Sequence, residues 1–310
     1  MKKNFILTLF FGISLFISNA QIETPQASPT CEISQMVGTS KISISYSRPG
    51  VKNRVVFGEL VPYNKIWRTG ANKATKISFS KDVKIGGKDL AAGDYSLFTI
   101  PSQKEWTIIF NKNLELWGTG EYNQDMDALR ITVPSFCSEM KEEVYKESNQ
   151  DIKEGTIKKG VEPEVVEESN HVESFTMDFG SFTSAGAELI LSWEKTKVSI
   201  PIYTNAIEEV QKEYTALLEA GPDANTYYRG ARFFLENNLD IELSLKWIDL
   251  AIEKRPEAFW MSYHKAKILI QLDRDKEAIK IAEKVIEMSR SAENSYGYDE
   301  KAEKLIGALK

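Results

Sequence analysis

The sequence predicts two domains, an antiparallel β-sandwich or barrel-like domain followed by an all-α domain of helical hairpins. Apolar residues alternate with a period of two up to about residue 202, and after it they follow a helical period. Turns rich in Gly and Pro separate the early runs. Many short alternating strands bounded by turns are typical of sandwiches and barrels, and apolar stripes at helical spacing are typical of packed helices.

The N-terminus predicts a signal peptide over residues 1–20. It begins with Lys2 and Lys3, continues with an apolar run too short to cross a bilayer comfortably, and ends in small residues. We expect cleavage before Gln21 and a protein that is periplasmic or secreted. No later segment is apolar enough to predict a membrane span. The net charge of −6 argues against nucleic acid as a partner.

Residues 21–202 form the predicted β domain. Residues 139–168 interrupt its strand pattern with ten acidic residues and five Lys, and without Trp or Phe. So little apolar surface predicts a mobile acidic loop. The predicted strands share polar–apolar alternation or β-rich composition: 41–46, 75–79, 95–100, 106–110, 129–133, 172–179, 188–193 and 197–202.

Residues 203–310 form the predicted helical domain, with stripes that end at Gly, Asn or Pro signals. Two hairpins, residues 225–256 and 258–290, resemble tetratricopeptide repeats, because similar positions recur about 34 or 35 residues apart. Two such repeats are rarely stable alone. We therefore expect the flanking helices to cover their ends.

Cys31 and Cys137 are the two cysteines of the chain. In an oxidising compartment they could form one long-range disulfide, which would stabilise the fold by about 3–5 kcal/mol. The alternative is two buried thiols that pack as small apolar side chains. Neither reading is catalytic, because the sequence has no Cys-x-x-Cys.

Motifs for the common catalytic sites are missing from the sequence. Its two histidines, His171 and His264, accompany no nucleophile elbow, zinc-protease motif, phosphate-binding loop or dinucleotide fingerprint. We predict no metal site and no cofactor. Asp125 and Asp127, which follow Trp117 and Tyr122, are an alternative: a carboxylate pair beside aromatic rings would suit a glycosidase, and the carboxylates could otherwise bind calcium or simply form a polar turn.

The richest set of candidate binding residues lies between residues 47 and 72. Arg side chains present a planar fork of donors suited to carboxylates, Trp can stack, and Asn can both donate and accept. The same residues could instead cap strand ends or fill the core. The candidates for ligand binding are Arg48, Arg54, Trp67, Arg68 and Asn72.

Several of these motifs resemble an exported bacterial family, domain-of-unknown-function family 2911. They are Ser47-Arg48-Pro49, the run from Trp67 to Thr75, the run from Ala92 to Pro101, and two later strands that begin at Trp106 and Trp193. The resemblance covers about residues 28–202. It implies an exported β-rich domain, often followed by a helical tail, and it implies no activity.

Two main hypotheses follow. The first is an exported, non-enzymatic protein that binds a glycan, a peptide or a protein partner through the Arg48–Asn72 segment and the helical pairs. The second is a hydrolase that uses the carboxylates of Asp125 and Asp127. A purely structural envelope protein is a third reading of the same sequence.

Overall fold

The computed structural model describes residues 24–137 and 171–309. The predicted signal peptide, residues 1–20, and the predicted acidic loop, residues 139–168, lie outside the described residues. The described part consists of a β domain followed by six helices, which confirms the fold class predicted from the sequence.

The β domain is one antiparallel sheet that curls into a nearly closed barrel. Its strand order is β1-β2-β3-β6-β7-β8-β11-β10-β9, with the small β4–β5 hairpin attached to β11. The strands are β1 Thr30–Val37, β2 Ser40–Ser47, β3 Thr75–Phe79, β4 Val83–Ile85, β5 Lys88–Leu90, β6 Gly93–Pro101, β7 Glu105–Asn111, β8 Asp127–Cys137, β9 Val172–Gly180, β10 Gly186–Glu194 and β11 Thr196–Thr204.

Alternation along each strand fills the barrel interior. In β2, Ile42, Ile44 and Tyr46 are buried in the core, while Ser43 and Ser45 lie between them on the other face. In β10, Leu189 and Leu191 follow the same rule. Because side chains alternate across a strand, this two-residue period is what places one face of every strand inside.

The barrel closes where the chain leaving β2 meets β9. The Val51 amide donates to the Glu173 carbonyl at 2.7 Å, and the Phe175 amide donates to the Pro49 carbonyl at 2.9 Å. Further along β9, the buried Tyr46 hydroxyl accepts from the Met177 amide at 2.9 Å. Burial raises the pKa of Tyr46 to about 12, so its hydroxyl stays protonated near neutral pH.

Six helices follow the barrel, in antiparallel neighbouring pairs. Asp223 and Asp240 each cap a helix by accepting a backbone N–H three residues later, as is typical of N-caps. The helices are α1 Ala206–Glu219, α2 Ala224–Glu236, α3 Ile241–Lys254, α4 Phe259–Gln271, α5 Asp275–Ser291 and α6 Tyr298–Ala308.

The helical core is built on small and aromatic side chains. Ala231 and Ala251 are fully buried, which lets α2 and α3 approach closely, and Phe234 packs edge-on against Trp247 at 4.6 Å between ring centroids. The junction with the barrel is polar. There, the Glu209 carboxylate of α1 accepts from the Thr39 hydroxyl at 2.7 Å and from the Lys81 ammonium at 2.5 Å.

His264 makes the stability of the helical core depend on pH. It is 8% exposed, its Nδ1 lies 2.9 Å from the Trp260 carbonyl, and burial lowers its pKa. A lowered pKa means that the folded protein resists a proton that the unfolded chain accepts. His264 therefore contributes to the stability of the folded protein above about pH 6.5, the ordinary pKa of histidine. This contribution is lost as the pH falls toward the lower pKa that His264 has in the folded protein.

We expect the unfolding midpoint of the helices, followed by far-UV circular dichroism, to fall between pH 7.5 and pH 5 in the wild type. The fall should be smaller in His264→Gln, since glutamine does not titrate. Equal pH dependence in the two proteins would contradict the assignment to His264.

Candidate functional site

The segment between β2 and β3 forms a cap over one end of the barrel. Val51, Val56, Phe57 and Val61 are buried and belong to the barrel core. The segment also contains left-handed backbone at several positions, including Thr69 with φ +53° and Gly70 with φ +155°. A Cβ on Gly70 would lie 3.0 Å from the Ser47 carbonyl oxygen, so both conformation and space favour glycine here.

Trp67, a predicted stacking residue, is a core residue. Its backbone pairs with Thr99 of β6, and its indole N–H donates to the Gly70 carbonyl at 3.0 Å. Its side chain is one of a cluster of aromatic rings at this end of the barrel, and only 7% of the residue is exposed. The ring therefore has no free face for a ligand. The rings around it are Phe57, Trp106, Phe175 and Trp193.

Arg48 and Arg54 donate to the protein's own backbone. Arg48 crosses the closure, with Nε 3.0 Å from the Phe175 carbonyl and a terminal nitrogen 2.6 Å from the Thr176 hydroxyl. Arg54 is exposed and donates to the carbonyls of Gly50 and Val51, at 2.7 and 3.0 Å. Both guanidinium groups therefore hold the turn after β2, which is the structural alternative considered from the sequence.

Asn72 also serves the local fold. Its φ is +60°, a value that asparagine tolerates better than most residues. Its side-chain amide donates to the Ser47 hydroxyl at 3.2 Å, which links the end of the cap to the end of β2.

Arg68 differs from the other four candidates. It is partly buried, its Nε atom is fully buried without a hydrogen-bond partner, and burial lowers its pKa. Among the described residues no carboxylate pairs with it. Because Trp67 pairs with Thr99, the next residue, Arg68, lies on the outer face of the sheet opposite Phe98.

The loop between β7 and β8 covers the outer face beside Arg68. Phe98, Ile109 and Leu116 form a small second core beneath it, and Tyr122 packs edge-on against Phe98 at 5.2 Å. The Ala74 amide donates to the Leu116 carbonyl at 3.0 Å, which ties this loop to the cap. Arg68 thus lies in a part of the outer surface that two loops build together.

Asp127, one of the two predicted carboxylates, is fully engaged. Its carboxylate accepts from Asn111 at 2.7 Å, from the Tyr122 hydroxyl at 2.7 Å and from Arg130 Nε at 2.6 Å. Its side chain is 7% exposed. Burial, and then the bond to Asp127, raise the pKa of Tyr122. This network fixes the end of the loop at the start of β8.

Asp125, the other predicted carboxylate, is exposed. It lies in a short 3-10 turn, Gln124–Met126, which is capped by the Asn123 side chain.

Trp117, which the sequence suggested as an aromatic platform, is 69% exposed, an unusual environment for tryptophan. It forms an antiparallel bridge with Lys73 of the cap. Residues directly opposite in such a bridge project to the same side, so Lys73 and Trp117 are neighbours on the surface.

Cys31 lies in β1 and is partly buried. The backbone of Cys137 ends β8, but its side chain lies outside the described residues, so the Cys31–Cys137 disulfide stays a prediction.

In the part of the chain that the structure describes, no three His, Cys, Asp or Glu side chains are grouped to hold a metal ion. No helix within residues 24–137 and 171–309 is long and apolar enough to cross a membrane.

Comparison with known proteins identifies a family and no activity. No curated protein and no solved structure matches the chain. Residues 28–159 match the model of a family described as "Protein of unknown function (DUF2911)". The match covers β1 to β8, the cap that contains Arg68, and the loop between β7 and β8. This match confirms the resemblance over residues 28–159, whereas the motifs predicted it to about residue 202, and six helices follow the sheet domain.

Proposed function

We propose that this is an exported, non-enzymatic binding protein that holds an anionic ligand at Arg68, on the outer face of the barrel. The observation that carries the proposal is a partly buried guanidinium that has no anionic partner among the described residues. Buried polar groups in native proteins almost always have partners, and exceptions often mark a bound ion or ligand. Arginine is suited to carboxylates and phosphates in particular.

Backbone strain next to Arg68 supports the same conclusion. Thr69 is β-branched and fully buried, yet it holds φ at +53°, with its hydroxyl 3.2 Å from the Thr99 hydroxyl. Such conformations cost roughly 1–3 kcal/mol and persist where the surroundings enforce them, often at binding sites. Here the strained residue directly follows Arg68 in the chain.

Two further residues, at the point where the cap meets the loop between β7 and β8, would add to affinity. Lys73 contributes a second positive charge on the same cap, and the exposed ring of Trp117 beside it provides a face for stacking. A ligand with both an anionic group and a flat or apolar face would use both. An acidic sugar or an organic carboxylate has this chemistry.

Binding is favoured over hydrolysis because the residues that a hydrolase would use are engaged elsewhere. Asp127 is held by three donors, and His264 is packed between helices. His171 is exposed and lies 3.4 Å from the Glu173 carboxylate near the start of β9. Export to the periplasm or beyond is supported by the sequence of residues 1–20.

The test compares thermal unfolding of residues 21–310 with that of Arg68→Gln, with and without sodium glucuronate at matched ionic strength. A ligand that binds only the folded state raises the midpoint. We expect glucuronate to stabilise the wild type more than Arg68→Gln. We also expect Arg68→Gln without ligand to be at least as stable as the wild type, since removing an unpaired buried charge relieves its desolvation.

Arg54→Gln is the matched control, because it removes an arginine of the same cap that donates to backbone carbonyls. It should lower the midpoint and leave the response to glucuronate intact. A large loss of stability in Arg68→Gln would show that Arg68 is a structural residue and would end the proposal. Sulfate and acetate, used in the same assay, report whether any anion or only a larger carboxylate is bound.

A further inference from the structure

A groove on the helical domain combines apolar side chains with three lysines. Its lining comes from two helices: α4 contributes Tyr263, Lys267 and Ile270, and α6 contributes Lys301, Lys304 and Leu305. The groove has a volume of about 400 Å³. Tyr263, Ile270 and Leu305 are partly buried and form its floor, while the three lysines are exposed at its rim.

The lysines at this rim lack anionic partners among the described residues. Elsewhere on the same domain, lysine and acid pair: Lys265 of α4 lies 2.7 Å from the Asp249 carboxylate. Two of the three acids of α6 are paired with Arg290 of α5, which lies 4.0 Å from Asp299 and 2.5 Å from Glu303. The third, Glu300, is exposed and forms no ion pair among the described residues. The rim is therefore a local positive surface on an acidic chain of net charge −6.

One of the three lysines is also held in position. The Lys301 ammonium lies 4.4 Å from the centre of the Tyr298 ring and 3.4 Å from the Tyr296 carbonyl. An ammonium over an aromatic face loses conformational freedom before a ligand arrives, which lowers the cost of binding.

We propose that this groove binds an acidic peptide segment of a partner protein, with an apolar side chain on the floor and carboxylates at the lysine rim. Charge complementarity of this kind selects partners and speeds their association. The floor supplies apolar contact area, and the open form of the groove suits an extended or helical segment rather than an enclosed small molecule. The proposal does not depend on the anion site at Arg68.

The test is fluorescence anisotropy of a labelled twelve-residue peptide of glutamate and leucine, titrated with residues 21–310 at low and high salt. The double variant Lys267→Glu/Lys304→Glu should weaken binding at least tenfold. Lys246→Glu/Lys276→Glu makes the same charge change on exposed lysines outside the groove, and should weaken it no more than threefold. Leu305→Ser should weaken the leucine-containing peptide and leave a glutamate-only peptide unchanged.

Three results would overturn the proposal: no binding by the wild type, equal loss in both charge-reversal variants, or equal binding of the glutamate-only and leucine-containing peptides. Vesicles rich in phosphatidylserine and a single-stranded DNA of equal charge serve as competitors. If either displaces the peptide at similar charge concentration, the groove is a general anion surface and the proposal fails. Far-UV circular dichroism establishes that each variant is folded.

Discussion

Replacing Trp67 by alanine should lower the free energy of unfolding of the barrel by about 3–5 kcal/mol, the usual cost of deleting a large buried aromatic side chain. The ring is surrounded by four other aromatic rings, with centroids 5.1 to 6.1 Å away. Its loss would leave a cavity between β6 and β9 and would free the Gly70 carbonyl that the indole now satisfies. The cap would lose its anchor as well as its packing.

Urea unfolding followed by near-UV circular dichroism measures this effect, because that signal reports aromatic packing. Trp117→Ala is the control: the same residue type is removed from an exposed position of the neighbouring loop, so stability should change by no more than about 0.5 kcal/mol. Similar losses in the two variants would contradict the placement of Trp67 in the core.

Asp127→Ala should lower the free energy of unfolding by roughly 2–4 kcal/mol, because three donors lose their common acceptor. Arg130 is about one-third exposed, so water can partly replace the hydrogen bond that it loses. Its part in the loss of unfolding free energy should therefore be small. Tyr122 and Asn111 are more enclosed. Without Asp127, the loop that covers Phe98 would lose its attachment to β8.

Asp125→Ala is the matched control for this prediction. Asp125 is two residues away and exposed, and in the structure the contact it makes is through its backbone N–H to Asn123. Its replacement should change stability by no more than about 0.5 kcal/mol. Thermal unfolding of the two variants therefore separates an acid that supports the loop from one that does not, and equal effects would contradict this division.

Much of the fold could be predicted because its signals are local. The two-residue alternation of β2, β6 and β10 and the caps at Asp223 and Asp240 follow from residues that are neighbours in sequence. The edge strand β1 was missed. It contains Gln and Ser among its apolar residues and is only partly buried, so its alternation is weak. The strands β4 and β5 have three residues each, too few for a period to be visible.

The candidate site could not be divided into structural and binding residues from sequence, because the partners of these arginines are far away in the chain. Arg48 donates to acceptors on β9, more than 120 positions later, and no local sequence pattern predicts that contact. Arg68 looks the same as Arg48 in sequence. What distinguishes it is a buried Nε atom that has no hydrogen-bond partner among the described residues, which only the three-dimensional neighbourhood reveals. The groove between α4 and α6 depends in the same way on two separate helices.

Because the barrel closes against β9, a shortened chain needs this strand to fold. A fragment that ends at residue 159, where the family match stops, would contain the cap and eight strands but would lack the strand to which Arg48 and Pro49 attach. It would also lack β10 and β11, so β8 and β4 would lose their neighbour. Such a fragment should aggregate through its open edges. We therefore expect the shortest independently folding unit to extend to Thr204, beyond residue 159, where the family match ends.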